Sequence, residues 1–280
     1  MRFRIQHPKL TLKLSLEPVD RLHIHEEVIE SALRRLVEEI RADRVVKHPV
    51  IVDEKTMVVL DGMHRVAALK ELRCRLIPAC LVDYDNPNIL VSSWCRGIAG
   101  EDLGRAVRLI EGLGLEVVGR PLEEAVGMLG REGVVAVVVS NQGCLTVHGD
   151  VGDVKDVYDE VKRMESALRS GGYRVEYLTE DDALRMARSG RLLASIVPPK
   201  VSKEAVRRVA LRGEVFAHKT TRHVIPARPM FLNVPLDWLR MGYEEANRLL
   251  YRNLSGRRVR RLPGGTVLDR RYEEELYVFE

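Results

Sequence analysis

The sequence predicts an α/β (α+β) fold that is divided into two domains. Short apolar runs alternate with amphipathic segments along most of the chain, and this alternation is typical of proteins that layer helices on sheets. A length of 280 residues leaves room for roughly two domains, at about 150 residues each. The composition, 45% hydrophobic and 31% charged, supplies enough apolar residues for a packed core and excludes a disordered chain.

In residues 1–97, the apolar pattern predicts two helices and several short strands. Apolar residues recur at steps of three and four from Glu26 to Ile40, which predicts a helix with one buried face. A similar pattern runs from His64 to Leu72. Gly97 to Gly100 interrupts the pattern and predicts a domain boundary. Strands are predicted over residues 50–52, 57–60, 76–82 and 89–94.

From residue 98 to residue 239, strands and helices alternate in a second α/β domain. Gly171-Gly172 ends a long helix, and Thr179 is a typical N-terminal cap. Residues 240–280 are set apart as a basic C-terminal extension. Helices are predicted over residues 102–113, 122–129, 154–168, 183–187 and 202–211, and strands over 134–139, 144–147, 173–178 and 192–197.

Composition and patterning exclude several classes of protein. No apolar run approaches 18 residues, so no membrane-spanning helix is expected, and the N-terminus lacks the apolar core of a secretion signal. The four cysteines show no Cys-x-x-Cys spacing, which is typical of reduced thiols in a cytoplasmic protein. A net charge of +4 decides neither for nor against a nucleic-acid partner.

The stretch from Arg248 to Arg261 contains six arginines. We interpret it as a solvated helix followed by an extended tail. A contact with nucleic acid is the alternative, although only Tyr251 is available to stack on a base.

Asp61-Gly62-Met63-His64-Arg65 follows a predicted strand and opens a predicted helix. A helix N-terminus presents unpaired backbone N–H groups to an anion, and Gly62 allows the backbone to approach a phosphate closely. Arg65 can fork onto two phosphate oxygens, His64 can donate a further hydrogen bond, and Asp61 can hold a magnesium ion. The alternative is an ordinary glycine turn before an amphipathic helix whose arginine faces solvent.

A second cluster, Lys219-Thr220-Thr221-Arg222-His223, combines cations, hydroxyls and an imidazole between apolar flanks. In an extended segment Lys219, Thr221 and His223 point to one side. This arrangement predicts a cradle for a carboxylate or a phosphoryl group. A polar edge strand or loop is the alternative.

Two further residues are candidates for the same chemistry. Glu26 stands at the start of the first predicted helix, where a carboxylate normally complements the helix dipole; the functional alternative is a general base. Trp94 is either a core residue or part of a binding wall.

Residues Leu16 to Tyr84 resemble a ParB/sulfiredoxin-type nucleotide-binding domain, on the evidence of HPVIVDEKTMVVLDGMHRVAALKELRCRLIPACLVDY. In that superfamily a Gly-x-x-Arg turn cradles nucleotide phosphates. Sulfiredoxin carries its reactive cysteine in this turn, where the chain has Met63, so sulfiredoxin activity is not expected. Partition-type ParB proteins continue with helix-turn-helix segments, whereas strands alternate with helices after Gly100.

Most of the chain resembles the archaeal free L-serine kinases. The resemblance rests on His25-Glu26, DGMHR, Trp94 and above all GEVFAHKTTRHVIP. It implies that Glu26 is the catalytic base and that Gly62, Met63, His64 and Arg65 bind the nucleotide phosphates with magnesium on Asp61. It also implies that serine is bound by the following residues: Trp94, Lys219, Thr221, Arg222 and His223.

The resemblance implies an enzyme that transfers a phosphoryl group from ADP to L-serine, giving O-phospho-L-serine for cysteine biosynthesis and AMP. The active site is expected in the cleft between the two domains, and Mg²⁺ is the expected cofactor. ADP is expected to be the better donor because a short turn holds two phosphates well, with ATP as the alternative donor. Glu39 stands where the family has a serine, so homoserine and threonine stay open as substrates. A nucleotide-switched DNA-binding protein of the ParB type and a non-catalytic serine sensor are the rival functions.

Overall fold

The computed structural model describes residues 2–280 and divides into two compact units. Unit 1 contains the described residues up to Leu90, together with Val206–Val215 and His223–Glu280. Unit 2 contains Val91–Ala205 and Phe216–Arg222. These units do not follow the boundaries predicted at residues 97 and 239, because the chain re-enters unit 1 twice and unit 2 once.

The elements are numbered in chain order. The strands are β1 (Phe3–His7), β2 (Leu10–Pro18), β3 (Val45–Val46), β4 (Val50–Asp53), β5 (Val59–Asp61), β6 (Leu76–Val82), β7 (Leu90–Ser93), β8 (Cys95–Ala99), β9 (Glu116–Arg120), β10 (Val134–Ser140), β11 (Gly143–His148), β12 (Arg174–Leu178), β13 (Ala194–Val197), β14 (Thr221–Val224), β15 (Ala227–Met230), β16 (Val234–Pro235), β17 (Val259–Leu262) and β18 (Glu275–Phe279). The helices are α1 (Glu30–Asp43), α2 (Met63–Glu71), α3 (Leu103–Glu111), α4 (Leu122–Met128), α5 (Val154–Ser170), α6 (Glu180–Arg188), α7 (Lys203–Leu211) and α8 (Tyr243–Ser255).

Unit 1 is built on a five-stranded sheet in the order β1-β2-β6-β4-β5. β4 runs parallel to β6, and the other neighbours are antiparallel. Every residue of β6 is buried, as its unbroken apolar sequence predicts for a central strand. α1 packs against α2, and α8 packs against β2. This sheet sets the positions of β5 and of the turn that follows it.

The predicted C-terminal extension is part of unit 1. β18 pairs in parallel with β15 and antiparallel with β17, and Met230, Tyr272 and Leu276 share a small buried core there. The interpretation of a solvated helix and an extended tail is therefore wrong, because these residues form a helix packed on β2 and a sheet.

Several arginines of this region are engaged within unit 1. Arg257 donates to the carbonyl oxygens of Leu232, Phe231 and Phe279. Arg260 pairs with the carboxylate of Glu280, and Arg261 pairs with that of Glu275, at 2.8 and 2.5 Å. These contacts neutralise charge that a nucleic-acid surface would need to present.

Unit 2 is built on a six-stranded sheet in the order β12-β8-β13-β10-β11-β9, and all its neighbouring pairs are antiparallel. Every residue of β10 is buried. α4 and α6 cover β10, and their apolar residues share a core with Val137 and Val139. Unit 2 therefore has an α+β arrangement, with helices layered on a wholly antiparallel sheet.

Gly97 does not mark a domain boundary, which corrects the prediction. It lies inside β8, between Arg96 and Ile98. A Cβ atom at Gly97 would lie 2.8 Å from a methyl carbon of Leu178 and 2.8 Å from one of Leu192. The glycine is therefore needed for close packing inside the sheet, at a position where the sequence pattern predicts a domain boundary.

Most predicted elements are confirmed by the structure, including β6 at its predicted bounds and the hairpin of β10 and β11. Thr179 caps α6 by accepting a hydrogen bond from the backbone N–H of Asp182. The sequence pattern does not predict β1, β2, β3, β8, β9 or the strands from β15 to β18, and it places the start of the first helix at Glu26, four residues before α1 begins at Glu30. Within residues 2–280, no helix is both long and apolar enough to cross a membrane.

The buried amide of Asn247 in α8 is expected to contribute strongly to stability. It accepts from the Leu16 backbone N–H at 2.8 Å and donates to the Leu16 carbonyl at 3.0 Å. Asn247→Ala leaves both groups of β2 without a partner, which should lower the free energy of unfolding by about 2–4 kcal/mol. Denaturant unfolding measures the change, and Asn253→Ala on the exposed face of the same helix serves as control. A loss no larger than that of the control would contradict this role.

Candidate functional site

The predicted phosphate turn lies between β5 and α2. Asp61 is the last residue of β5, and α2 begins at Met63. Gly62 is the N-cap residue with φ of 105°, a left-handed conformation that strongly favours glycine. The first backbone N–H groups of α2, at Met63 and His64, have no carbonyl within the helix to bind. The turn therefore lies between a strand and a helix N-terminus, which is the placement that the sequence predicts.

The side chain of Arg65 folds back onto the turn that precedes α2. Its Nη2 donates to Oδ2 of Asp61 at 2.7 Å, and a Cβ atom on Gly62 would come within 2.7 Å of the same nitrogen and of Val50. Its Nε is enclosed and has no hydrogen-bond partner among residues 2–280. Gly62 thus provides the space in which the Arg65 side chain folds onto Asp61.

A second guanidinium, from Arg228 of β15, reaches the same carboxylate oxygen. Its Nη1 donates to Oδ2 of Asp61 at 2.6 Å, and its Nε donates to Glu274 at 2.7 Å. Burial alone would raise the pKa of Asp61, but the positive charges of Arg228 and Arg65 hold it well below its usual range. Asp61 is therefore ionised at any pH near neutrality. Sequence reasoning missed Arg228, which no local motif singles out.

Asp61 retains an oxygen that could take part in binding a metal. Both arginines donate to Oδ2, and the Asp61 side chain is 36% exposed to solvent. Magnesium in nucleotide sites is commonly held by one or two carboxylates together with the phosphates. No cluster of three metal-ligating side chains occurs in the described part of the chain.

Glu26 lies in an extended segment before α1, so it does not complement the dipole of that helix. Its side chain is buried, with the residue only 6% exposed. The segment is tied to the phosphate turn, because the backbone N–H of Ile29 donates to Nε2 of His64 at 3.0 Å. In neutral His64 the proton then resides on Nδ1. His64 thereby links the turn to the loop that carries the predicted base.

His25, the neighbour of Glu26, is fully buried. Its Nδ1–H donates to the carbonyl of Val59 at 2.8 Å. Burial lowers its pKa more than the nearby Glu26 raises it, so the ring is neutral. The His25 ring meets His223 edge-on, with centroids 5.3 Å apart. The structure therefore brings one residue of the Lys219–His223 cluster beside the His25-Glu26 pair.

His223 is held from its other side by Tyr84. The Tyr84 hydroxyl and His223 Nε2 are 2.7 Å apart, and the guanidinium of Arg207 lies over the Tyr84 ring, 5.0 Å from its centroid. Arg207 in turn pairs with the fully buried Asp53 at 3.1 Å. The sequence motifs do not single out Tyr84 or Arg207. The one local signal is that Tyr84 follows closely after the end of β6.

In unit 2, Trp94 lies beneath two cations of the second cluster. Lys219 Nζ and the guanidinium of Arg222 lie 5.2 and 5.6 Å from the centroid of the indole. The backbone N–H of Trp94 points to the carbonyl of Thr220 at 3.4 Å. Such cation–π contacts fix long basic side chains against an aromatic face.

The prediction that Lys219, Thr221 and His223 share one side of an extended segment is wrong for Lys219. This residue has φ of 61°, and β14 begins only at Thr221. The left-handed conformation breaks the alternation of side chains, so Lys219 and Arg222 come together over Trp94.

Arg96 supports Trp94 from within unit 2. The side chain is fully buried, and its Nη1 donates to the Trp94 carbonyl at 2.7 Å. It pairs with Glu165 at 3.4 Å and lies between the rings of Tyr158 and Tyr177. Sequence reasoning did not identify it.

Comparison with known proteins connects these features to one family. No protein-family profile matches the chain. An ATP-dependent L-serine kinase of Staphylothermus marinus is 32% identical over 255 residues, which cover 84% of this chain and 97% of that protein. The chain belongs to the L-serine kinase family. An ADP-dependent L-serine kinase of Thermococcus kodakarensis is 25% identical, over 79% of this chain and 90% of that protein.

The solved structures include the same family. A free serine kinase in complex with AMP matches this member with a TM-score of 0.68 and 26% identity, covering 81% of this chain and 93% of that protein. The resemblance predicted from the His-Glu pair, the DGMHR turn and the KTTRH segment is thereby confirmed at the level of family and fold.

The candidate residues of this L-serine kinase family member are distributed over both units. Unit 1 holds Glu26, the turn from Asp61 to Arg65, and His223. Unit 2 holds the other four candidate residues: Trp94, Lys219, Thr221 and Arg222.

Substitution of Gly62 should destabilise the kinase more than a matched glycine does. Gly62→Ala combines backbone strain with displacement of Arg65 and Val50, whereas Gly172→Ala has similar strain at φ of 90° and no atom within 4 Å. We expect a loss of about 1 kcal/mol for Gly172→Ala and a further loss of about 1–3 kcal/mol for Gly62→Ala from overpacking. Denaturant unfolding measures both, and equal losses would show that the space beneath Gly62 is not needed.

Proposed function

We propose that this chain phosphorylates free L-serine, transferring the terminal phosphoryl group of a nucleotide to the serine hydroxyl to give O-phospho-L-serine. One observation carries the proposal. A buried carboxylate, Glu26, lies in a loop that is hydrogen-bonded through Ile29 to His64 of the phosphate turn. A base and a phosphate cradle that are tied together in this way are the two parts that phosphoryl transfer to an alcohol requires.

The phosphate turn is proposed to bind and orient the donor. The backbone N–H groups of Gly62, Met63 and His64 and the dipole of α2 favour the phosphate oxygens, and Arg65 adds positive charge beside them. Asp61, ionised and open at one oxygen, would hold Mg²⁺ together with the phosphates. The metal would neutralise charge that develops on the transferred group.

Glu26 is proposed to accept the proton of the serine hydroxyl. Trp94, Lys219, Thr221, Arg222 and His223 are proposed to bind serine, with the two cations on the indole attracting its carboxylate. His223 is restrained between Tyr84 and His25, so it could present its ring without reorganisation.

Glu26→Gln should bind both substrates but lose turnover, because the amide cannot accept the hydroxyl proton. The expected fall in kcat is roughly 2–4 decades, measured as O-phospho-L-serine formed per enzyme. Glu38→Gln on the exposed face of α1 is the matched control and should retain normal kcat. Turnover of Glu26→Gln within a factor of about three of the wild type would remove Glu26 from the mechanism.

For the donor, we propose ATP over ADP, in place of the expectation drawn from the sequence. That expectation rested on the few donors of a short turn, and Arg228 adds a second guanidinium there. The relative named ATP-dependent is also more similar to this chain than the one named ADP-dependent, at 32% against 25% identity. Both observations support a triphosphate donor.

The donor can be assigned from the nucleotide product. With L-serine and Mg²⁺, ATP should give ADP at a kcat/KM at least about tenfold above that with which ADP gives AMP, equivalent to ~1.4 kcal/mol in the transition state. Removal of Mg²⁺ by a chelator should abolish both reactions. If ADP is the faster donor, the ATP assignment is wrong and the original expectation is restored, while the kinase proposal stands.

The rival proposal of a nucleotide-switched DNA-binding protein receives no support from the C-terminal region. Arg257, Arg260 and Arg261 of that region are engaged with carbonyl oxygens and carboxylates of unit 1. We therefore propose one function.

A further inference from the structure

Arg228 connects the phosphate turn to the C-terminal sheet of unit 1. It lies on β15, which pairs in parallel with β18 so that Arg228 is opposite Leu276. The side chain is only 11% exposed. Nη1 is 2.6 Å from Asp61 and Nε is 2.7 Å from Glu274, so two carboxylates fix the guanidinium at the turn.

One edge of this guanidinium is still available. Nη2 of Arg228 donates to no residue in the described part of the chain, and it is not among the enclosed side-chain nitrogens without a partner. A fixed guanidinium whose Nη2 is open is suited to donate charge-assisted hydrogen bonds to a phosphate oxygen.

The charge around Asp61 also favours an anion. Arg65 and Arg228 are paired to Asp61, and the charge of Arg270 acts on the same carboxylate; Glu274 is paired to Arg228, and the carboxylate of Asp269 interacts with Arg270 and His48. His48 adds no charge near neutral pH, because burial and the charge of Arg65 lower its pKa to about 4. The three arginines and three carboxylates balance, so the positive end of the α2 dipole decides the sign of the potential at the turn.

We propose that Arg228 is a phosphate-binding residue of the nucleotide site, contacting the outermost phosphate of the donor. The C-terminal sheet, through β15 and Glu274, is then part of the nucleotide site. This inference rests on the proposed function for the location of the donor at the turn. The inference assigns a nucleotide-binding role to the C-terminal sheet, which lies outside the sequence motifs that indicate the family.

The alternative is that Arg228 only neutralises the carboxylate of Asp61. The two roles differ in their dependence on the length of the nucleotide. A phosphate-binding residue affects ATP and leaves AMP almost unchanged, because AMP lacks the outer phosphates. A purely structural residue holds the turn itself, so its loss weakens all nucleotides together.

The experiment is calorimetric titration of the full-length chain with ATP, ADP and AMP in the presence of Mg²⁺ and without serine. For Arg228→Gln we expect ATP to bind roughly 10–100-fold more weakly, the range for a hydrogen bond to a charged group, and AMP to bind within threefold of the wild type. Arg261→Gln removes a paired arginine of the same sheet and should leave all three affinities within threefold. Equal weakening of ATP and AMP, or no weakening of ATP, overturns the proposal.

Arg228→Lys is the second variant, to be used if Arg228→Gln does not fold. It keeps a positive charge beside Asp61. It should weaken ATP binding at least threefold and leave AMP within threefold; unchanged ATP affinity overturns the proposal. Formation of O-phospho-L-serine is measured separately. A wild type that shows these binding effects but makes no O-phospho-L-serine overturns the proposed function alone, and a wild type that binds no nucleotide overturns both.

Discussion

The ion cluster at Asp61 is the interaction on which the rest of unit 1 depends. One carboxylate oxygen accepts from Arg65 at 2.7 Å and from Arg228 at 2.6 Å. The first contact closes the phosphate turn over Gly62, and the second joins that turn to β15 and so to β18. Because a half-buried carboxylate without its partners would be strongly unfavourable, the folding of the turn and of the C-terminal sheet are coupled through this side chain.

A second constraint acts on the loop that carries Glu26. The backbone of His23 forms a bridge with Val58 at the start of the loop, and beyond it the loop is fixed at two points by side chains. His64 accepts the N–H of Ile29, and His25 donates to Val59 of β5. Both anchors come from β5 or from the helix that follows it. The position of Glu26 is thus set by the same strand and turn that form the phosphate cradle.

In unit 2 a buried cation, Arg96, likewise fixes a segment that carries a candidate site residue. Arg96 is inaccessible to solvent, yet it is paired with Glu165 and donates to the carbonyl of Trp94. The hydroxyl of Tyr177 also donates to Glu165, at 2.7 Å. A buried charge is tolerated where it is paired, and the partners of Arg96 include the backbone of the proposed binding wall, although its Nη2 has no hydrogen-bond partner within residues 2–280.

The sequence by itself determined the elements with strong local patterns and the residues that belong to contiguous motifs. β6, α5 and the turn from Asp61 to Arg65 are encoded within a few neighbouring residues, so periodicity and turn chemistry predict them. Only the tertiary structure decided that Glu26 precedes α1, that Gly97 lies inside a strand, and that Arg228 joins Asp61 across 167 positions of sequence. Such contacts depend on how strands pair and on which side chains meet after the sheets have formed. No local pattern carries that information, because the free energy that selects these contacts arises from burial and charge pairing between distant segments.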